Sequence, residues 1–380
     1  MDYKAVIGCG YGDEGKGKVV SYLCSNYGKS LVVRFSGGQQ AGHHVVIDEK
    51  LDHVFSNFGS GTLQRNHSYF MPHCTIDPTG ILNEASVLSG KCTPTKLYID
   101  GKCPVTTPYD KIVNFCVDSK NGHGTCGVGV GRTLQREEDH YSLLFEDLFF
   151  KSILKEKLKL IIEYYKKDYV IIPKTDSVIK DFLNDCEDLT CSYFVDKCYG
   201  MPNEYEYDCC IFEGSQGLML DQGIGFFPHV TRGFTGTKNI AEYAPEVYLV
   251  TRAYQTRHGY GPLTNEDLVP NIKKNPWEQN SSEGIQGEFR RSILDLDILN
   301  YVIEKDKYIS RERDNKNVKL VMTCLDLIYG AYKLTRSGEY IVFNETQELT
   351  NESNFIDYIR FHIGIDTILK SHSPFFNEMW

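Results

Sequence analysis

The stretch Gly10-Tyr11-Gly12-Asp13-Glu14-Gly15-Lys16-Gly17-Lys18, set between the apolar run Ala5-Val6-Ile7 and the segment Val19-Val20-Ser21-Tyr22-Leu23, decides the fold. A short apolar run that ends in glycines reads as a buried strand, and the segment after the loop reads as a helix. Leu31-Val32-Val33-Arg34-Phe35, closed by Gly37-Gly38, is a second strand of the buried type. The order strand, loop, helix, strand predicts an α/β fold, with a central, mostly parallel sheet flanked by helices and a P-loop-like core. Five glycines fall within residues 8–17. Glycine is costly to order, so such a density implies backbone that must approach a ligand closely or take positive φ.

The loop fits two known patterns incompletely. Gly10, Gly12 and Gly15 satisfy Gly-x-Gly-x-x-Gly, but a dinucleotide site also wants an acidic residue about 20 positions on, where the chain offers Arg34 and Phe35. Gly10-x4-Gly15-Lys16 satisfies most of a P-loop, yet the Ser or Thr that should hold Mg²⁺ is Gly17. Asp13, a hard oxygen donor in the same loop, can take that duty. The local chemistry is therefore a phosphate cradle, built from loop amides, a helix N-terminus, Lys16 and Lys18.

Further along, residues 147–167 read as a helix with Leu154, Leu158, Ile161 and Ile162 on one face. Residues 174–210 read as a helix plus a variable insertion. Ile211-Phe212-Glu213-Gly214, Val247-Tyr248-Leu249-Val250 and Lys319-Leu320-Val321-Met322 are further buried-strand candidates. Glycine-rich loops recur at 36–42, 121–131 and 214–225. The polar segment 264–288 is ambiguous, and Asn280 through Gly284 is expected to be a mobile loop. With no repeat and no clear linker, residues 1–380 are expected to form a single domain with subdomain insertions.

Composition excludes several classes. The chain has 380 residues, 41 Lys+Arg, 51 Asp+Glu and a net charge of −10, which argues against binding nucleic acid as a polymer. At 41% hydrophobic and 12% aromatic residues it is too apolar to be disordered. No apolar run approaches the roughly 20 residues of a membrane span, and Met1-Asp2-Tyr3-Lys4 shows no signal peptide. A cytoplasmic location is expected, in a cell or an infected host cell. The thirteen scattered cysteines lack Cys-x2-Cys spacing and are expected to be reduced. The Asn344 to Thr346 sequon is then idle.

Gly12-Asp13-Glu14-Gly15-Lys16-Gly17-Lys18 followed by Gly37-Gly38-x-x-Ala41-Gly42-His43 resembles the adenylosuccinate synthetase family, and the resemblance continues in order along nearly the whole chain. Gly124-Thr125-Cys126-Gly127 is similar to its Gly-Thr-Thr-Gly loop. Phe212-Glu213-Gly214-Ser215-Gln216-Gly217, then Pro228-x-Val230-Thr231, is similar to its Phe-Glu-Gly-Ala-Gln-Gly segment and the threonine after it. Ala253-Tyr254-x-Thr256-Arg257, Cys324-Leu325-Asp326 and Ser371-His372-Ser373-Pro374 match three more of its motifs. The resemblance implies a C–N bond-forming ligase of purine biosynthesis. Such an enzyme uses GTP and Mg²⁺ to phosphorylate the oxygen of a 6-oxopurine nucleotide and then displaces it with aspartate. It implies Asp13 as the base and a metal ligand, the Gly42 carbonyl as a second metal ligand, His43 as general acid and Gln216 as a holder of the purine. Gly12, Glu14, Gly15, Lys16, Gly17, Lys18, Gln40, Thr125, Cys126 and Thr231 would bind nucleotide or phosphate. Asp326, Ser371 and Pro374 would recognise guanine, since a carboxylate accepts from guanine N1–H and N2–H₂, which adenine lacks.

The departures open alternatives. The family's Asn-Ala-Gly-His is Gln40-Ala41-Gly42-His43, and a phosphate-binding Thr is Cys126. The arginine that the family extends across its homodimer interface has no clean match; Arg136 or His140 stands nearby. The loop Thr-Thr-Gly-Arg-Arg-Arg-Arg is cut to Glu288-Phe289-Arg290-Arg291-Ser292, leaving Arg290 and Arg291 to bind the amine substrate. The alternatives are a phage-type enzyme acting on dGMP, the same chemistry with an amine other than aspartate, and an inactive purine-nucleotide sensor. Many phage relatives lack the aspartate that stands here as Asp13. The expected positive charge is concentrated at Lys16, Lys18, Arg257, Arg290 and Arg291.

Overall fold

The structure, a computed structural model, describes all residues except 94, 118–124, 169–175, 281–285, 345–349 and 379–380. Gly124, most of the expected mobile loop and most of the idle sequon lie outside the described residues. In chain order the elements are β1 (Asp2–Gly8), α1 (Lys16–Ser25), β2 (Ser30–Arg34), β3 (His43–Val46), β4 (Asp52–Phe55), β5 (His67–Phe70), α2 (Pro78–Ser89), β6 (Leu97–Asp100), α3 (Pro108–Val117), α4 (Val130–Glu138), α5 (Lys151–Asp168) and α6 (Asp176–Cys191). Then follow β7 (Val195–Cys198), β8 (Cys209–Glu213), β9 (Glu246–Arg252), β10 (Tyr254–His258), β11 (Phe289–Asp295), α7 (Leu296–Lys305), α8 (Lys307–Asp314), β12 (Val318–Thr323), β13 (Tyr332–Arg336), β14 (Glu339–Phe343), α9 (Asn351–Ile363) and β15 (Ile368–Lys370).

Nine strands form one sheet in the order β15-β12-β9-β1-β8-β2-β5-β6-β7. Every pairing in it is parallel. Its central strands are mostly apolar because both faces are covered: all five residues of β2 and of β8 are buried, with the charged Arg34 and Glu213 at their ends. The five strand candidates read from the sequence all lie in this sheet. An all-parallel sheet with helices on both faces meets the α/β expectation.

The sequence did not foresee a second sheet, β10-β11-β13-β14. Its strands mix antiparallel and parallel pairing and are partly exposed, so their pattern is weak. The helix expected over 147–167 begins at Lys151, because Phe145–Phe149 is a separate 3₁₀ turn. Leu154, Leu158 and Ile161 are buried on its inner face as expected. Of the segment about 174–210, α6 packs on α2, and β7 adds the last strand of the main sheet.

The helices beyond β6 are pinned by one buried ion pair. Arg136 of α4 is fully buried. Its Nε donates to Asp110 Oδ1 at 3.1 Å and its Nη2 to the Val105 carbonyl at 2.9 Å. Tyr165 of α5 donates to the same Asp110 oxygen at 2.6 Å. Arg136 is thus committed to holding α3, α4 and α5 together; His140, two residues past the end of α4, is exposed. Replacing Arg136 by Met leaves Asp110 buried without its cation. We expect this to lower stability by about 3–5 kcal/mol, read by urea unfolding; a loss under about 1 kcal/mol would show that the pair is dispensable.

Candidate active site

Six adjacent strands deliver the site. The loops after β15, β12, β9, β1, β8 and β2 leave the carboxyl edge of the sheet side by side and line one cavity of about 810 Å³. Parallel α/β sheets place ligands at this edge, where strand ends diverge and helix N-termini begin.

The glycine loop is shaped by its own acid. Glu14 is buried, and its Oε1 accepts from the Gly10 and Gly12 amides, both at 3.0 Å. Its Oε2 pairs with Lys16 Nζ at 2.6 Å. Glu14, expected to bind nucleotide, lines the cavity, and its acceptor-only carboxylate is turned into the loop, where it holds Lys16 and two loop amides. Gly12 and Gly15 both take positive φ, 91° and 93°, which lets the chain turn sharply into α1.

Asp13 also lies in the left-handed region, at φ 61°. Its carbonyl accepts from Arg252 Nε at 2.6 Å, and the next carbonyl, that of Glu14, accepts from Thr323 Oγ1 at 2.7 Å. Burial raises the Asp13 pKa, and the Arg252 charge works against that rise.

His43 is held by an acid outside the set of expected site residues. Its Nδ1 lies 2.7 Å from Glu213 Oε1, and both side chains are buried. Burial works to raise the Glu213 pKa, but His43, Arg34 and the Ser60 hydroxyl together hold it at about 2. Burial lowers the His43 pKa despite this partner. Glu213 is therefore the ionised acceptor and a neutral His43 donates Nδ1–H, which leaves Nε2 for a partner in the cavity.

The remaining walls gather most of the residues singled out in the sequence. Gln40, Gly42, Thr125, Cys126, Gln216 and Thr231 line the same cavity as Gly12 through Lys18. The Thr125 hydroxyl is engaged within its loop by Asn114 and the Gly127 amide. Burial pushes the Cys126 thiol up to about 11, so it stays protonated. Asp326, Ser371 and Pro374 line the far end with Lys18, whose Nζ donates to Ser371 Oγ at 2.6 Å and to the Ser373 carbonyl. Burial lowers Lys18 to about 8.

Arg290 and Arg291 are the exceptions: neither lines the cavity. Arg290 is spent on Glu266 and on the Gly259 and Gly261 carbonyls, at 2.6, 2.7 and 2.8 Å. Arg291 is exposed and stacks over Phe289. Arg290 sits opposite Arg257 in the β10–β11 register, yet its guanidinium is turned to Glu266 and the two carbonyls and stays out of the cavity lining. Arg257 does line it, with three backbone carbonyls as acceptors. Beyond the expected residues the structure adds Glu213, Arg252, Trp277 and Glu278. Glu213 sat inside a quoted motif, next to Gly214 at a strand end, which is the signal that could have found it.

Among the described residues no group of three or more His, Cys, Asp or Glu side chains gathers to hold a metal. Of the carboxylates that line the cavity, Glu14 is paired with Lys16 and Glu278 with Arg252, and Asp326 stands near Ser371; Asp13 and the backbone carbonyl of Gly42 are the donors offered beside the glycine loop. That sparse, all-oxygen donor set suits Mg²⁺ shared with substrate phosphates and does not suit zinc.

Fold and cavity define the class: a parallel α/β protein with one large polar cavity over a glycine loop. Within that class the chain belongs to the adenylosuccinate synthetase family, whose model matches residues 5–357. It is 31% identical over 279 residues to adenylosuccinate synthetase of Baumannia cicadellinicola subsp. Homalodisca coagulata, a match covering 69% of this chain and 64% of that one. The chain thus spans a little under two thirds of that relative's length. Fully ligated adenylosuccinate synthetase from Plasmodium falciparum superposes with a TM-score of 0.78 at 19% identity, covering 100% of this chain and 99% of that one. Succinoaminodeoxyadenylate synthetase of cyanophage S-2L, bound to dGMP and dATP as an energy donor, superposes with a TM-score of 0.66 at 13% identity, covering 100% and 95%. At these identities the two structures establish the fold.

The Glu213 shift predicts an acid limb in stability. Its folded value of about 2 lies below the ordinary 4.5. A depressed carboxylate contributes stability above pH 4.5 and loses it as the pH falls toward 2, an effect of about 3 kcal/mol. In E213Q that limb should flatten in urea unfolding measured from pH 2 to 6; an unchanged slope would remove Glu213 as its source.

Proposed function

We propose that the chain is a GTP-dependent ligase that joins aspartate to a 6-oxopurine mononucleotide through a 6-phosphoryl intermediate. The observation that carries this reading is the convergence of Asp13, His43, Gln216 and Lys16 on one cavity whose far end holds Asp326 and Ser371. Asp13 takes the N1 proton of the purine, so that the 6-oxygen gains charge and attacks the γ-phosphorus of GTP. Lys16 and the loop amides stabilise the charge on the transferring group. His43, neutral at rest, gains a proton as that anion arrives, and the imidazolium is stabilised by Glu213 behind it. The amine then displaces phosphate from C6. Gln216 holds the purine, and the Asp326 carboxylate accepts from the guanine of GTP. Mg²⁺, held by Asp13 and the Gly42 carbonyl, would supply charge neutralisation on the phosphates.

A second reading concerns the amine. Because Arg290 and Arg291 lie outside the cavity, an amine other than aspartate fits the same chemistry. dGMP enters as a candidate purine because the cyanophage enzyme of the same fold binds it. The enzyme acts in the cytoplasm on this reading; among the described residues no two cysteines are joined, and no helix is long and apolar enough to cross a membrane. A homodimer is the proposed assembly. Ile153 and Leu160, two helical turns apart on one face of α5, are both exposed and offer apolar surface for it.

The test is phosphate release from GTP across a matrix of IMP, GMP and dGMP against aspartate and other amines, with the mass of each product. Release that requires both a purine nucleotide and an amine is expected. Tight nucleotide binding without turnover would make the chain a sensor, and a preference for ATP would overturn the role of Asp326. In D13N, turnover should fall by about 10²- to 10⁴-fold. Asn tolerates the left-handed backbone at this position, so the melting temperature should hold. Undiminished turnover would remove Asp13 as the base.

A further inference from the structure

We propose that Arg252, braced by Glu278, is the positioning residue that sets Asp13 in its working geometry and ties it to the strap of residues 273–280 along the cavity wall. The inference rests on the ligase reading above, because it concerns the base of that reaction. It starts from the backbone. A non-glycine residue at φ 61° sits in a sparsely populated region and is helped by an outside contact, and among the described residues the Asp13 carbonyl has no backbone partner within its own loop. Arg252 supplies the help at 2.6 Å, from the last position of β9.

The guanidinium is itself fixed. Arg252 is 7% exposed. Its Nη1 donates to Glu278 Oε2 at 2.8 Å and to the Tyr254 hydroxyl at 3.0 Å. One rigid fork therefore spans three acceptors: the base's own backbone, a carboxylate on the strap and a phenol on β10. A lysine there is a single point and cannot span them.

The strap links both ends of the cavity. The Lys273 amide donates to the Leu327 carbonyl at 2.8 Å, beside Asp326. The Trp277 ring lies 6.0 Å from Phe375, in the segment that follows Ser371 through Pro374. Glu278 then meets Arg252 and also accepts from Asn280 Nδ2 at 2.9 Å, and Gln279 and Asn280 line the cavity. The end of the cavity that holds Asp326 and Ser371 is thus joined to Asp13 through one ion pair, Arg252 with Glu278. Arg252 and Glu278 do not react; they hold the atom that does.

The experiment compares R252K and E278Q with the wild-type chain. A displacement of the base by about 1 Å costs on the order of 100-fold in rate. We expect kcat to fall about 100-fold in R252K and about 10-fold in E278Q, with KM for GTP within about threefold of wild type. The double variant should be no slower than R252K alone, since both changes break one linkage. Positional isotope exchange in GTP, with purine nucleotide present and amine absent, isolates the phosphoryl step and should fall by the same factors. Wild-type kcat and exchange in both variants would overturn the proposal, as would a loss that tracks only the folded fraction measured by circular dichroism. If the wild-type chain turns over no purine nucleotide, the ligase reading fails on its own, and the crystal structure of R252K decides the tether. Asp13 leaving the left-handed region supports it; an unmoved Asp13 carbonyl refutes it.

Discussion

The carboxylate of Glu14 is the constraint on which the site depends. One buried side chain accepts from two loop amides and a lysine at once. It converts a glycine-rich segment, otherwise entropically expensive to order, into a rigid frame. Gly8, Gly10 and Gly217 leave room for it: a Cβ at Gly8 or Gly217 would come within 2.4–2.6 Å of the Glu14 carboxylate or of the Gly10 carbonyl beside it. The glycines of two loops are therefore explained by the acid they surround, and Lys16 is aimed by it.

The same economy governs charge. An acidic chain with a cation-lined cavity must keep those cations where they are needed without letting them collapse onto its own excess of carboxylates. The cavity cations have partners: Lys16 with Glu14, Arg252 with Glu278, Arg232 with Glu138, Arg132 with Gln135, Lys18 with Ser371 and the Ser373 carbonyl. Arg257 is fixed by three carbonyls, which orient it without neutralising it. Pairing of this kind preorganises the site, so that little rearrangement accompanies the developing charge.

The buried chemistry behind His43 shows how local residues acquire function from distance. Glu213 ends β8 and His43 begins β3, 170 positions apart. Ser60, far from both in sequence, completes the group. No residue of the three is unusual alone. Burial and the hydrogen bond make an ionised acid, a neutral imidazole and a fixed tautomer out of them.

Much of the main sheet was legible because its strands are apolar on both faces, a pattern that survives without context. The second sheet was not, since its partly exposed strands carry no such run. The loop motifs were legible because glycine spacing and acid placement are local requirements of a phosphate cradle. The sequence by itself determined the α/β order, the phosphate loop and the residues that the family resemblance marks. Only the tertiary structure decided which of them meet: that Glu14 turns inward, that Arg290 braces a turn, that Arg136 locks three helices and that Arg252 reaches Asp13. These outcomes depend on which strand ends lie side by side, and the adjacency of β9, β1 and β12 is a property of the whole sheet that no single segment encodes.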